Sequence, residues 1–198
     1  FSDSRLQQNG EANRYGPGLY TYIEKENAQG FADEVMAGTL KSQKAEGTGA
    51  QQAHIYRIKV DVNERNTLFS NKAYSDKEIK EISSRLEEVV PGISVHLRKG
   101  MTGDQIITVT TNFLRGQSGN KISLTKPKAG EIGPKTKTNA ALLSSGFRYI
   151  SGRIPRPDSN GAFDKGLIIL SPESGGAKII NGITITGKQK ASSVSAGV

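Results

Sequence analysis

The sequence has no cysteine and no tryptophan, and only two histidines, His54 and His96. Without cysteine there is no disulfide framework, no thiol nucleophile and no cysteine-ligated zinc. The two histidines stand far apart in no metal-site spacing, so no metal is expected. No apolar run approaches the roughly 20 residues that cross a membrane as a helix, and Phe1-Ser-Asp-Ser4 is not a signal peptide. The chain begins with Phe rather than Met and is read as a processed or cut-down form, with sequence expected upstream. Acidic residues are scarce late in the chain: residues 121–198 hold 12 basic and 4 acidic groups, against 15 and 15 in residues 1–120. The net charge of +8 therefore arises entirely in the later part. Such a surface attracts phosphates, acidic protein faces or nucleic acid. Ordinary solubility charge is the competing reading, because no stacking series of aromatic rings accompanies these lysines.

What is present suits one domain over residues 1–187 of the 198, with a Ser/Gly/Ala-rich tail at 188–198. Residues 1–19 read as a polar loop that tightens at Tyr15-Gly-Pro-Gly-Leu-Tyr20. The spacing of Phe31, Val35, Met36 and Leu40 predicts a helix from Asn27 to Leu40. His54 to Val62 alternates as a half-buried strand. Ser75-Asp-Lys-Glu78 is a capping box, followed by Ile79, Ile82, Leu86 and Val89 at helical spacing until Pro91. Ile93, Val95 and Leu97 predict a short strand, while residues 104–114 fit either a helix or a strand, with the helix preferred. Lys121 to Lys137 reads as a basic loop, Asn139 to Ser145 as a short helix stopped by Gly146, and the stretch from Ser151 to Gly161 as another loop. Leu167-Ile-Ile-Leu170 is a buried strand, and Asn181-Gly182 within Ile179–Thr186 predicts a hairpin turn. Strands and helices without regular βαβ alternation give an α+β fold.

Most short chemical signatures are missing. Gly116-Gln-Ser-Gly-Asn-Lys121 has the wrong spacing for a phosphate loop, and there is no Gly-x-Ser-x-Gly elbow. Three segments do carry a resemblance. Tyr15-Gly-Pro-Gly-Leu-Tyr-Thr-Tyr22, followed by Ala28-x-x-Phe31, resembles the Gly-x-Gly-aromatic segment and trailing helix of ADP-ribosyltransferases of the diphtheria-toxin and poly(ADP-ribose)-polymerase type. Asn139 to Tyr149 resembles the late helix and strand of members found in mobile elements and toxins. Phe163-Asp-Lys-Gly-Leu-Ile-Ile-Leu-Ser-Pro172 is similar to the late strand that such enzymes open with a catalytic acid.

The resemblance implies a compact split β-sheet core with helices packed on it, and NAD as substrate. It implies that Gly16 and Gly18 let the backbone approach the dinucleotide, while Tyr20 and Phe31 clamp nicotinamide with Tyr22 nearby. Matching Leu167–Leu170 to the family strand puts the acid at Lys165 or one residue earlier, which selects Asp164, with Glu173 in reserve. Such a carboxylate would stabilise the oxocarbenium-like ribose formed when the glycosidic bond breaks. The family's first strand, with its His or Arg for the adenosine half, has no counterpart in residues 1–15; Arg5 and Arg14 are the cations available for the diphosphate. The implied activity is mono-ADP-ribosylation of a protein by a bacterial toxin or effector. That enzyme is expected to be a monomer, secreted or delivered into a target cell, and otherwise cytoplasmic. Its acceptor would dock on the basic residues 121–165, and nucleic acid is a further possible acceptor. The contrasting class is a non-catalytic basic module that grips an acidic protein or nucleic acid.

Overall fold

Leu167, Ile168, Ile169 and Leu170 form an unbroken apolar run because the strand that carries three of them is covered on both faces. The computed structural model describes residues 14–37, 52–117, 132–155, 163–172 and 178–186. Among these residues the chain forms strand β1 (Leu19–Tyr22), helix α1 (Lys25–Ala37), strands β2 (Gln52–Lys59) and β3 (Thr67–Phe69), and helices α2 (Asp76–Glu87), α3 (Gly103–Gln117) and α4 (Pro134–Ser144). Strands β4 (Tyr149–Pro155), β5 (Phe163–Ile169) and β6 (Lys178–Thr186) follow. A four-stranded mixed sheet has the order β1-β5-β4-β3, and β2 pairs with β6 in a second sheet. Only β3 and β4 run parallel; β1–β5, β4–β5 and β2–β6 are antiparallel. The mixture of strands and helices is the α+β class the sequence indicates.

Alternation along the strands splits the interior in two. Leu68, Ile150 and Ile168 join Ile79, Ile82 and Leu86 of α2, Ile106 and Ile107 of α3, and Ala141 and Leu142 of α4 in the main core. On the opposite face Tyr149, Leu167 and Ile169 pack with Leu19, Ile58 and Val60, so the second sheet covers the side that the helices leave open. Two glycines let the strands of the first sheet close up: a Cβ on Gly166 would collide with Ile154, and one on Gly152 would lie 2.8 Å from the Tyr15 hydroxyl.

The helices follow their sequence signals closely. Ser75 caps α2 by accepting from the Glu78 N–H, and the Glu78 carboxylate accepts in return from the Ser75 N–H at 2.8 Å. Residues 104–114 are helical within α3, whose start carries a second reciprocal pair between Thr102 and Gln105. The helix from Asn27 lies at Lys25–Ala37, so its last expected residues, Gly38–Leu40, fall outside the described ones. The helix at Asn139 starts earlier, at Pro134, which takes Lys135 and Lys137 out of the expected loop. It ends as expected beside Gly146 at φ +83°.

Three sequence readings are corrected. Ile93, Val95 and Leu97 form no strand: Ser94–His96 is a 3-10 turn, with Ile93 buried and Val95 74% exposed. The Glu87 carboxylate imposes that turn by accepting from the Gly92 and Ser94 N–H groups at 2.6 and 2.9 Å. Residues 151–155 are strand rather than loop, because β5 offers a partner along all seven residues of β4. Asn181-Gly182 makes no hairpin, for β6 runs straight through it along β2 and absorbs one extra residue as a bulge opposite Arg57 and Ile58. The loops at 121–131 and 156–161 and the tail at 188–198 lie outside the described residues.

Candidate functional site

The glycine-bracketed turn is built around a single tyrosine. Tyr20 projects from β1 back over the turn, where its hydroxyl donates to the Gly16 carbonyl and accepts from the Tyr15 N–H, both at 3.0 Å. Burial pushes the Tyr20 phenol up to about 12, against the smaller downward pull of the Tyr15 N–H. Its ring packs against the main core. Gly16 adopts φ +77°, the conformation its position in the turn favours.

The close approach that the glycines permit is an approach to the protein itself. A Cβ on Gly16 would stand 2.9 Å from Lys135 Cβ and 3.1 Å from Asn139 Nδ2, and one on Gly18 would stand 2.7 Å from Ile168 Cγ2. The turn is therefore wedged between α4 and β5. Asn139 fastens it: its Nδ2 donates to the Tyr15 carbonyl at 3.0 Å and to the Pro17 carbonyl at 2.6 Å. Nothing local in the sequence distinguishes Asn139 from any other polar residue of a short helix, so its role is visible only in three dimensions.

The aromatic residues expected to act together lie along β1 and α1. Phe31, 40% exposed, has its ring 6.0 Å from the Tyr22 ring at an interplanar angle of 47°. Tyr20 is the turn-facing member of β1 and Tyr22 the member against Phe31. Asp164 stands in β5 opposite Ile154 of β4, four residues before Ile168, which is the register partner of Tyr20. At about 3.3 Å per residue that is about 13 Å along the strand. Lys165, the neighbouring position, is exposed, and its carbonyl accepts from the Ile23 N–H just beyond β1. Arg5 and Glu173 lie outside the described residues.

Arg14 is committed to Asp104, with Nη2 and Oδ2 2.7 Å apart, and its guanidinium stands 5.4 Å from the centre of the Tyr15 ring. Burial works against its charge, and the Asp104 carboxylate outweighs that penalty and raises its pKa. Beside this pair, α3, α4 and the turn border a cleft of about 190 Å³ lined by Arg14, Tyr15, Thr111, Arg115, Lys135 and Asn139, among others. Its wall is sealed by Thr111 and Thr138, whose hydroxyl oxygens are 2.9 Å apart. Sequence reasoning passed over Arg115, Thr111 and Asp104, which sit on one amphipathic helix whose polar stripe looks solvated when read alone. Among the described residues no cluster of His, Asp and Glu could hold a metal ion. Comparisons with protein families, curated proteins and solved structures found no match to the chain.

Proposed function

We propose that the chain is a mono-ADP-ribosyltransferase that binds NAD and transfers ADP-ribose to a protein acceptor, on a core of the ADP-ribosyltransferase type. The observation that carries the reading is the joining of its motif segments: the Gly-Pro-Gly turn leads into β1, β1 pairs with β5, and the assigned acid, Asp164, is the second residue of β5. Tyr20 and Asp164 then lie about 14 Å apart, from ~13 Å along the strand and ~4.8 Å between strands, inside the ~15 Å that one nucleotide can bridge. Phe31 enters the same neighbourhood from α1 through its contact with Tyr22.

In this reading the exposed Phe31 ring covers one face of nicotinamide and holds it in the geometry from which the glycosidic bond breaks. The Asp164 carboxylate stabilises the positive charge that develops on the ribose, nicotinamide leaves with the bonding electrons, and an acceptor nucleophile attacks the same carbon. Tyr20 contributes by fixing the turn, since its hydroxyl already serves Gly16 and Tyr15.

That commitment of Tyr20, and the tilted contact of Phe31 with Tyr22 in place of an open slot between parallel rings, are what favour the second reading, a non-catalytic cationic module. Incubation with labelled NAD and a cell lysate separates the two. The transferase reading expects release of nicotinamide and a labelled protein, with D164N reducing the rate about 100-fold. The module reading expects no release and a polyanion affinity that falls steeply with salt.

A further inference from the structure

The first sheet sets two cations directly opposite each other on an exposed part of its surface. Tyr149, Leu167 and Ile169 lie on the face that packs with Ile58 and Val60. Residues two apart along a strand share a face, so Lys165 lies on that same face of β5, and the register sets Arg153 of β4 against it. On the other side of β5 the Ile23 N–H donates to the Lys165 carbonyl at 3.4 Å, which continues the row to Ile23. All three residues are exposed, Ile23 at 57%.

Like charges directly opposite on paired strands have Cβ atoms about 5 Å apart and destabilise the pairing. Among the described residues neither Arg153 nor Lys165 has an ion pair or a side-chain hydrogen bond. Lys135, Lys137 and Arg148, the other described cations of residues 121–165, all have interaction partners. The repulsion at this row is therefore unrelieved within the described fold, and an anion from outside would offset it.

The neighbours of the pair select the kind of anion. Ile23 adds an apolar contact beside the charges, the combination of a charged and an apolar side chain that a protein segment can match. A nucleic-acid strand calls for a longer track of cations and for stacking rings, and this row has neither. We propose that the row of Ile23, Lys165 and Arg153 is a docking surface for an acidic protein segment, with its carboxylates on the two cations and an apolar side chain against Ile23. In the transferase reading that segment belongs to the acceptor, and in the module reading to the ligand. The docking itself needs no NAD, so its failure and the failure of the transferase reading are told apart.

The test is an NMR titration of the full chain with a short glutamate-rich peptide carrying two leucines. The same peptide with glutamine for glutamate, inorganic phosphate and a short oligonucleotide are run in parallel. The glutamate peptide is expected to shift the signals of Ile23, Arg153 and Lys165 saturably, and the glutamine peptide to shift none of them. R153E and K165E should each weaken binding at least about tenfold. R98Q, which removes a charge beside α2 on the helical side of the sheet, should leave it unchanged. R153E also turns the repelling pair into an attracting one and should raise the melting temperature by about 1–3 °C, which separates lost docking from lost folding. No saturable shift with the glutamate peptide, equal binding of the glutamine peptide, or unchanged affinity in R153E and K165E would overturn the proposal. A melting temperature that does not rise in R153E would remove the repulsion it starts from and overturn it too. Saturation by phosphate or the oligonucleotide alone would likewise overturn it, and would reassign the row to a phosphate or a polynucleotide.

Discussion

Tyr20 shows how one side chain can be found by its motif and still serve a purpose the motif does not state. Its phenol ties the ends of the Gly-Pro-Gly turn, and removing it leaves the Tyr15 N–H without its acceptor. Y20F should therefore cost about 1–2 kcal/mol in urea denaturation while the ring keeps its place in the core. The same burial sets a pH response. A phenol whose folded pKa is raised stays neutral in the folded state after the unfolded chain has begun to ionise. Its stabilising contribution is whole below about 10 and is lost as pH rises to about 12, through at most about 2–3 kcal/mol for Tyr20. Tyr15 and Tyr74, also raised by burial, act in the same direction. Alkaline unfolding followed by circular dichroism between pH 9 and 12 should show this loss, and Y20F should flatten it. Asn139, in contrast, was not legible in the sequence. A buried amide that serves two carbonyls more than a hundred positions away leaves no local pattern.

Helices were legible where their signals are local. The box at Ser75 and Glu78 is written in four consecutive residues, and S75A should lower stability by about 1 kcal/mol. Lys72 first, and then Ser75, draw the Glu78 carboxyl down to about 2. A lowered carboxylate pKa contributes stability above its ordinary value and loses it as pH falls, so this cap should fail between about pH 4 and 2. Thermal unfolding of E78Q should accordingly differ from the unaltered chain at pH 5 and converge with it near pH 2, while S75A, which also loses the acceptor for the Glu78 N–H, stays less stable at both. Strand pairing was less legible, because it depends on residues distant in sequence. Asn181-Gly182 is a strong turn signal that eight residues of β2 override, and the three residues of β3 are too few to show any period. The first sheet is also sensitive where its glycines meet neighbours: G166A forces a methyl group into Ile154 and should cost roughly 1–3 kcal/mol, measured by the same denaturation.

At the scale of the whole molecule, the fold brings the three motif segments into one sheet and its flanking helices. The turn and β1 pair with β5, the segment from Asn139 supplies α4 and the start of β4, and α4 in turn holds the turn. The class of the fold was visible in the order of its elements; this mutual bracing was not, since it runs through the Gly16–Lys135 and Gly18–Ile168 approaches. The proposed chemistry requires that the surface at β1, α1 and the start of β5 receive a nicotinamide ring. The most direct measurement is the set of nuclear Overhauser contacts between the nicotinamide protons of NAD and aromatic protons of the full chain under saturating dinucleotide. The account predicts contacts to Phe31 and to a β1 tyrosine, abolished in F31A. Saturable binding with contacts elsewhere, or no binding at millimolar NAD, would contradict it.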